Sequence, residues 1–422
     1  MNAGLRDQVG SPRRGEIRRL LSLPAFRRYW MAGGLSSFGD QFFAVALPWL
    51  VLELSRSDAA LGSVLMTAAL PSAALTLVGG ALSDRVPPAR VLFFATLTRA
   101  LLVATVAALV IAGLAQLWHL YALALVFGVL SALSGPASTA IVPRVADDKG
   151  LPAANGILQS TSQVSAFVAP TPAGVLMASA GTGASFAVSA VASGLAGLVF
   201  ALLPGAIHRS PASASGDAPL PTSPASTPGS TMEALRAYLG HPALQAYLML
   251  IATLSLATSG PLAVGIPSLA RVRFGGSVSL GLMLSASGAG AFIGTLLAGS
   301  RGRMRHRGAL LLGVNAVIGV LLMLLAYAPT VASASLVIGA MACGSSFVNL
   351  IVMAKLQEAD PAILGRLMGV VMLASVGLTP LSYLLAGLAS AVDPALMFGA
   401  AGALVIAATG RAAFAPELRR VD

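Results

Sequence analysis

The sequence predicts an all-α membrane protein with twelve transmembrane helices arranged as two pseudo-symmetric six-helix bundles. Three observations predict it. First, 56% of the 422 residues are hydrophobic and only 10% are charged, against about 25% charged in an ordinary soluble domain. That is too little charge to cover a soluble surface of this size. Second, the apolar residues fall into twelve runs, six on each side of a Pro/Ser/Ala/Thr-rich stretch at Ser210–Thr231. Each run is close to the ~20 residues an α-helix needs to cross ~30 Å of hydrocarbon. Third, the basic residues keep to alternate inter-span segments, as a bilayer requires of a correctly phased set of spans.

Met1 to Leu23 is polar and carries Arg6, Arg13, Arg14, Arg18 and Arg19, which reads as a juxtamembrane anchor. No small-residue cleavage site precedes the first span, so a cleaved signal peptide is not expected. The first six spans are predicted at Arg28–Leu54, Ala59–Ser83, Val91–Gly113, Leu117–Ile141, Ala153–Ala180 and Ala184–Leu203. Ser210–Thr231 has no apolar period and reads as a linker. The second six are predicted at Leu244–Leu269, Leu280–Gly299, Ala309–Tyr327, Ala332–Met353, Leu367–Ala391 and Ala395–Ala413. The expected organisation is a cytoplasmic segment 1–27, a first bundle 28–204, a cytoplasmic linker 205–240, a second bundle 241–414 and a tail 415–422.

The two halves echo each other. Pro24-Ala25-Phe26 opens the first span and Pro242-Ala243-Leu244 the seventh; the fifth carries Val168-Ala169-Pro170 and the eleventh Leu378-Thr379-Pro380. Such internal similarity marks a duplicated transporter fold. With both termini cytoplasmic, twenty-two of the 26 Lys and Arg fall on the inner side, Arg56, Arg271 and Arg273 on the outer side, and Arg99 within a span. The net charge of +11 therefore reports orientation in the bilayer and does not argue for a nucleic-acid partner.

Enzyme chemistry is not expected. The one cysteine, Cys343, sits in an apolar run, and His119, His208, His241 and His306 are scattered, so no metal site is predicted. A P-loop is missing from the sequence, and no cofactor is expected. Gly288-Ala289-Gly290 lies inside an apolar run and reads as helix packing.

A few polar residues stand within the spans. Asp40 lies about twelve residues, ~18 Å, into the first. An acid at that depth is expensive and marks function by default; the competing reading is a structural carboxylate bonded to neighbouring helices. Ser37 and Gln41 flank it. Arg99, at comparable depth in the third span, either pairs with a carboxylate or snorkels to the inner surface. Asn155, Gln159 and Gln163 recur every fourth residue and so share one face of the fifth span, which either lines a cavity or ties helices together. Asn349, Thr379 and Tyr383 are further cavity-lining candidates. The rest of the cavity lining is apolar, which suits an amphipathic substrate.

Between the second and third spans runs Gly80-Ala81-Leu82-Ser83-Asp84-Arg85-Val86-Pro87-Pro88-Ala89-Arg90-Val91-Leu92. This resembles the corresponding loop of the major facilitator superfamily, with Gly80, Leu82, Asp84, Arg85 and Leu92 in register. Pro87, Pro88 and Ala89 replace the family's glycine and basic pair, and Arg90 falls one place late. Phe26-Arg27-Arg28-Tyr29-Trp30, Ser36-Ser37-Phe38-Gly39-Asp40, Ala154-Asn155 and Gly365-Arg366 resemble the bacterial branch of macrolide and siderophore (enterobactin) exporters. The resemblance implies two bundles around a cavity open alternately to each side, in a bacterial inner membrane, usually driven by a proton gradient. It implies a small-molecule substrate and export of the drug or siderophore type, with an importer or lysolipid flippase on the same fold as the alternative. Asp40 is then the proton-coupling candidate, and Gly80, Asp84, Arg85 and Arg90 form the gate loop. The fourth span lacks the Arg of many proton-driven antiporters, and the fifth reads Ala169-Pro170-Thr171-Pro172-Ala173-Gly174, with Ala at the family's first glycine.

A protease site inserted within Ser210–Thr231 is expected to be cut only from the cytoplasmic side, with little loss of transport; cleavage from outside would overturn the topology.

Overall fold

The computed structural model describes residues 14–83, 86–146, 150–203, 242–300, 307–357, 369, 371–372 and 374–414. Hydrocarbon supplies no water to backbone groups, so each apolar run closes its own N–H to C=O ladder as a helix. In chain order these are α1 (Arg14–Ser22), α2 (Pro24–Ser55), α3 (Asp58–Ser83), α4 (Pro88–Ile111), α5 (Leu117–Val145), α6 (Leu151–Val168), α7 (Pro170–Ala180), α8 (Thr182–Ala201), α9 (Pro242–Val272), α10 (Ser277–Ser300), α11 (Arg307–Leu325), α12 (Val331–Gln357), α13 (Thr379–Val392) and α14 (Pro394–Ala413). Among the described residues, ten helices are long and apolar enough to cross a membrane. The shorter α11 and the end-to-end pair α6–α7 complete the twelve passes. Phe94, Leu101, Val191, Leu198 and Leu336 stand exposed on the outer surface, where lipid is their natural solvent.

The two halves repeat one packing scheme. In the first, α4 lies on α8, α3 on α5 and α2 on α8; in the second, α11 lies on α14, α10 on α12 and α9 on α14. The bundles meet along two seams related by the same repeat, α3 with α13 and α10 with α6 and α7. Without a hydrophobic gain from burying one apolar helix on another in lipid, close approach needs small residues. A Cβ on Gly128 of α5 would collide with the Ala68 carbonyl of α3, and one on Gly290 of α10 with the Gly339 carbonyl of α12. The same pair of helices meets in each half, with the glycine on the opposite partner.

Two features depart from the sequence expectation. The amino-terminal segment is not merely a polar anchor: α1 is amphipathic, with Glu16, Arg18 and Arg19 exposed and Leu20 buried. Leu20 joins Phe26, Tyr29, Leu92 and Ile141 in a core at the basic end of the first bundle. The fifth span is broken rather than continuous. Pro170 and Pro172 carry no N–H, so the carbonyls of Ala166 and Val168 lose their helical donors and the chain breaks at Ala169. The eleventh breaks likewise, with a turn at Gly377 and Leu378 ahead of Pro380.

Gly290→Ala is expected to cost about 1–3 kcal/mol by overpacking. Gly313→Ala, where an added Cβ meets nothing within 4 Å, is expected to be neutral or slightly stabilising. Thermal unfolding in detergent reads both; equal shifts would contradict the close contact at Gly339.

Candidate functional site

Small residues open a pocket inside the first bundle. Gly33, Ser37 and Asp40 share one face of α2, Leu92, Thr96 and Arg99 one face of α4, and Ser131, Ser134 and Ser138 one face of α5, each at helical spacing. These faces border about 400 Å³, with Tyr29, Phe200 and Thr161 also in the lining. The Tyr29 hydroxyl donates to the Ser138 carbonyl at 3.1 Å, and the Trp30 indole N–H to the Thr161 hydroxyl at 2.8 Å.

Asp40 and Arg99 meet in this pocket: the guanidinium donates to the carboxylate and neutralises it. The side chains keep 35% and 19% of their exposure respectively, so the carboxylate is reachable from the pocket while the cation is more enclosed. Arg99 also lies over the Phe127 ring, 4.3 Å from its centroid, a cation–π contact worth about 0.5–2 kcal/mol. Phe127 stacks on Phe43 at 4.3 Å, and Phe43 meets Phe186 edge-on at 6.0 Å. The ion pair thus rests on an aromatic platform.

The platform also borders a second cavity, about 430 Å³, between the bundles. Phe43, Phe127 and Ser131 belong to its wall, and Leu47, Leu65, Leu262 and Leu284 make most of the rest apolar. Thr379 and Tyr383 of α13 contribute its polar atoms from the second bundle. At the end remote from α1 the bundles are tied together. The Thr171 hydroxyl donates to the Ser285 hydroxyl at 2.8 Å, Ser277 donates to the Gly174 carbonyl at 2.9 Å, and the Asp58 carboxylate accepts from Ser268 at 2.7 Å and Ser390 at 2.5 Å.

The remaining sequence-predicted residues disperse. Ser37 lines the polar pocket, and Gln41, one residue past Asp40, is half-buried. Asn155, Gln159 and Asn349 are exposed and Gln163 is half-buried; none of these four lines either cavity. Gly80 lies in the last turns of α3, and Arg90 is exposed in the first turn of α4. Asp84 and Arg85 lie outside the described residues. Among the other acids, Glu53 accepts from Trp49 and Thr182, and Asp393 caps the α14 amide of Ala395, so both serve local structure.

Sequence reasoning missed three things. The serine face of α5 was readable from its spacing. Phe127 looked like any apolar residue until Arg99 was placed over it. Asp58 stands in the first turn of α3, an ordinary place for an acid, and only the packing of α3 against the second bundle gives it partners.

Breaking one side of a buried ion pair costs about 3–5 kcal/mol because it strands the other charge. Arg99→Gln and Asp40→Asn are therefore each expected to destabilise the protein, and the double variant by less than the sum of the two. A double-mutant cycle on unfolding in detergent reads the coupling, and additivity would deny the pair any energetic role.

The profile of the Major Facilitator Superfamily matches residues 29–380. The uncharacterized MFS-type transporter YvqJ of Bacillus subtilis (strain 168) is 30% identical over 141 residues, 33% of this chain and 33% of that protein, so the chain matches about a third of that relative's length. A POT family transporter solved in complex with a thioalcohol conjugated peptide superposes with a TM-score of 0.70 at 14% identity, covering 94% of this chain and 96% of that one. The nucleoside transporter NupG superposes with a TM-score of 0.68 at 14% identity, covering 94% and 100%. With two bundles repeated in contact pattern, a cavity between them, and a family profile spanning most of its length, this chain belongs to the major facilitator superfamily and is a multi-pass membrane transporter of that fold.

Proposed function

We propose that the protein is a secondary active exporter of amphipathic or lipophilic small molecules that works by alternating access and proton antiport, with Asp40 as the proton-coupling group. The observation that carries this reading is the shared wall. Phe127 carries the guanidinium of Arg99 on its ring and, stacked with Phe43, lines the apolar inter-bundle cavity, while Ser131 lines both the polar pocket and that cavity.

The mechanism follows from that arrangement. A proton delivered through the hydroxyl-lined pocket neutralises Asp40 and releases Arg99 from its carboxylate partner. The guanidinium is then an unpaired charge over Phe127, which is costly at this depth. It must move, and Phe127 moves with the contact it loses. Substrate pressing on the same ring from the apolar cavity exerts the converse effect, so proton and substrate each bias the other's site through one side chain. The apolar lining supports an amphipathic cargo over a sugar or a multiply charged metabolite.

The 22-to-3 distribution of basic residues supports a bacterial inner-membrane protein with both termini cytoplasmic and a cytoplasmic linker at 205–240. In that orientation the seam at Asp58, Thr171 and Ser277 is extracellular. Asp84, with Gly80, Arg85 and Arg90 around it, is proposed to hold the cytoplasmic side closed when the extracellular side opens.

A susceptibility panel in a pump-deficient host identifies a cargo, and everted vesicles then read its accumulation. Asp40→Asn is expected to fold with the reduced stability given above, to bind cargo, to abolish accumulation driven by a pH gradient, and to spare downhill exchange. Normal accumulation by Asp40→Asn against a gradient would remove Asp40 from coupling.

A further inference from the structure

The outer acids of the described structure divide into two kinds. Glu53 takes its donors from Trp49 on its own helix and Thr182 of its own bundle, and Asp393 caps its own helix. Asp58 takes both of its side-chain donors from the opposite bundle: Ser268 near the end of α9 and Ser390 near the end of α13. Both serines are almost fully buried, at 1% and 3% exposure. From these contacts we infer that Asp58 is the extracellular latch of the transport cycle, engaged on Ser268 and Ser390 when the outer side is closed and released to water when it opens. The inference rests on the alternating-access reading above.

The geometry suits a latch that must be undone at every turnover. Among the described residues no Lys or Arg forms an ion pair with Asp58. Its carboxylate is satisfied by two hydroxyl donors and by its place in the first turn of α3, where the helix dipole favours an anion. When the bundles part, water replaces the two hydroxyls without stranding a counter-charge. A charge pair would hold harder and would leave two unpaired ions in the open state. Hydroxyls give a hold that closes and opens at comparable cost.

The latch is also specific to the closed arrangement. One turn along from Asp58, Gly62 meets Gly387 at backbone distance. A Cβ on Gly62 would run into the Tyr383 carbonyl at 2.5 Å, and one on Gly387 into the Asp58 carbonyl at 2.8 Å. Ser390 comes within reach only when α3 and α13 are this close. Tyr383 also lines the apolar cavity, so the residue that contacts cargo sits against the glycine that seats the latch. Cargo that shifts Tyr383 loosens the α3–α13 seam just beneath Asp58.

The test replaces Cys343, the one native cysteine, by Ala and places a reporter thiol in the cavity as Leu262→Cys. Labelling by a membrane-impermeant maleimide is followed in whole cells and in everted vesicles. Asp58→Ala is expected to raise the rate of labelling from outside about tenfold, equivalent to ~1.4 kcal/mol in the open-to-closed balance. The pair Ser268→Ala and Ser390→Ala is expected to do the same, and to add nothing on top of Asp58→Ala. If Asp58→Ala does not fold, the two serine variants, which remove only hydroxyls, carry the test. Unchanged outside labelling in folded variants, or fully additive effects, would overturn the latch while leaving alternating access standing, provided the parent thiol responds to side and cargo. A parent thiol labelled equally from both sides whatever the cargo would bring down alternating access and the latch together.

Discussion

Everything in this fold follows from the lack of water in the hydrocarbon. Backbone groups must be satisfied within each segment, so the chain is helical wherever it crosses. Side-chain burial adds little to helix association, because lipid tails are as apolar as leucine. What remains to hold the helices in one arrangement is close backbone approach at small residues and a short set of polar ties. Gly128 on Ala68 and Gly290 on Gly339 supply the first within the bundles. Asp40 with Arg99, Thr171 with Ser285, and Asp58 with two serines supply the second. Of these ties, the first lies in the pocket of the first bundle and the other two in the seam between the bundles.

The division of the interior into two compartments has the same origin. A polar pocket and an apolar cavity cannot merge without wetting the apolar one or burying the charges of the other. The Phe43–Phe127 stack lines the apolar one and gives Arg99 of the polar one a polarisable face as a seat. A single aromatic layer is thin enough for motion on one side to register on the other. This is a physical route for coupling that needs no contact between ion and cargo.

Fold and site were legible in the sequence to different degrees. The twelve passes could be read because each run must exceed a fixed length and the basic residues must alternate sides. The breaks in the fifth and eleventh spans could not be placed from hydropathy, since Pro170 and Pro380 interrupt the hydrogen-bond ladder without interrupting the apolar run. Asp40 and Arg99 announced themselves by depth. The polar face of α6 was visible as a period, yet Asn155 and Gln159 are exposed and line neither cavity: a period fixes which residues share a face and says nothing of what that face meets. Asp58 was invisible for the opposite reason. At a helix start an acid is ordinary, and its partners lie more than two hundred residues away in the chain.

The missing amide at Pro170 has a mechanical consequence. The carbonyl of Ala166, left without its helical donor, lies against the backbone of Gly288 on α10, so part of the seam between the bundles is carbonyl oxygen on glycine Cα–H. Contacts of this kind are weak, about 0.5–1 kcal/mol each, and vary gently with displacement. A joint faced in this way behaves as a bearing: once the hydrogen bonds of Thr171 with Ser285 and of Ser277 with Gly174 are released, α10 can slide over the broken helix by a fraction of a turn, exchanging one such contact for the next.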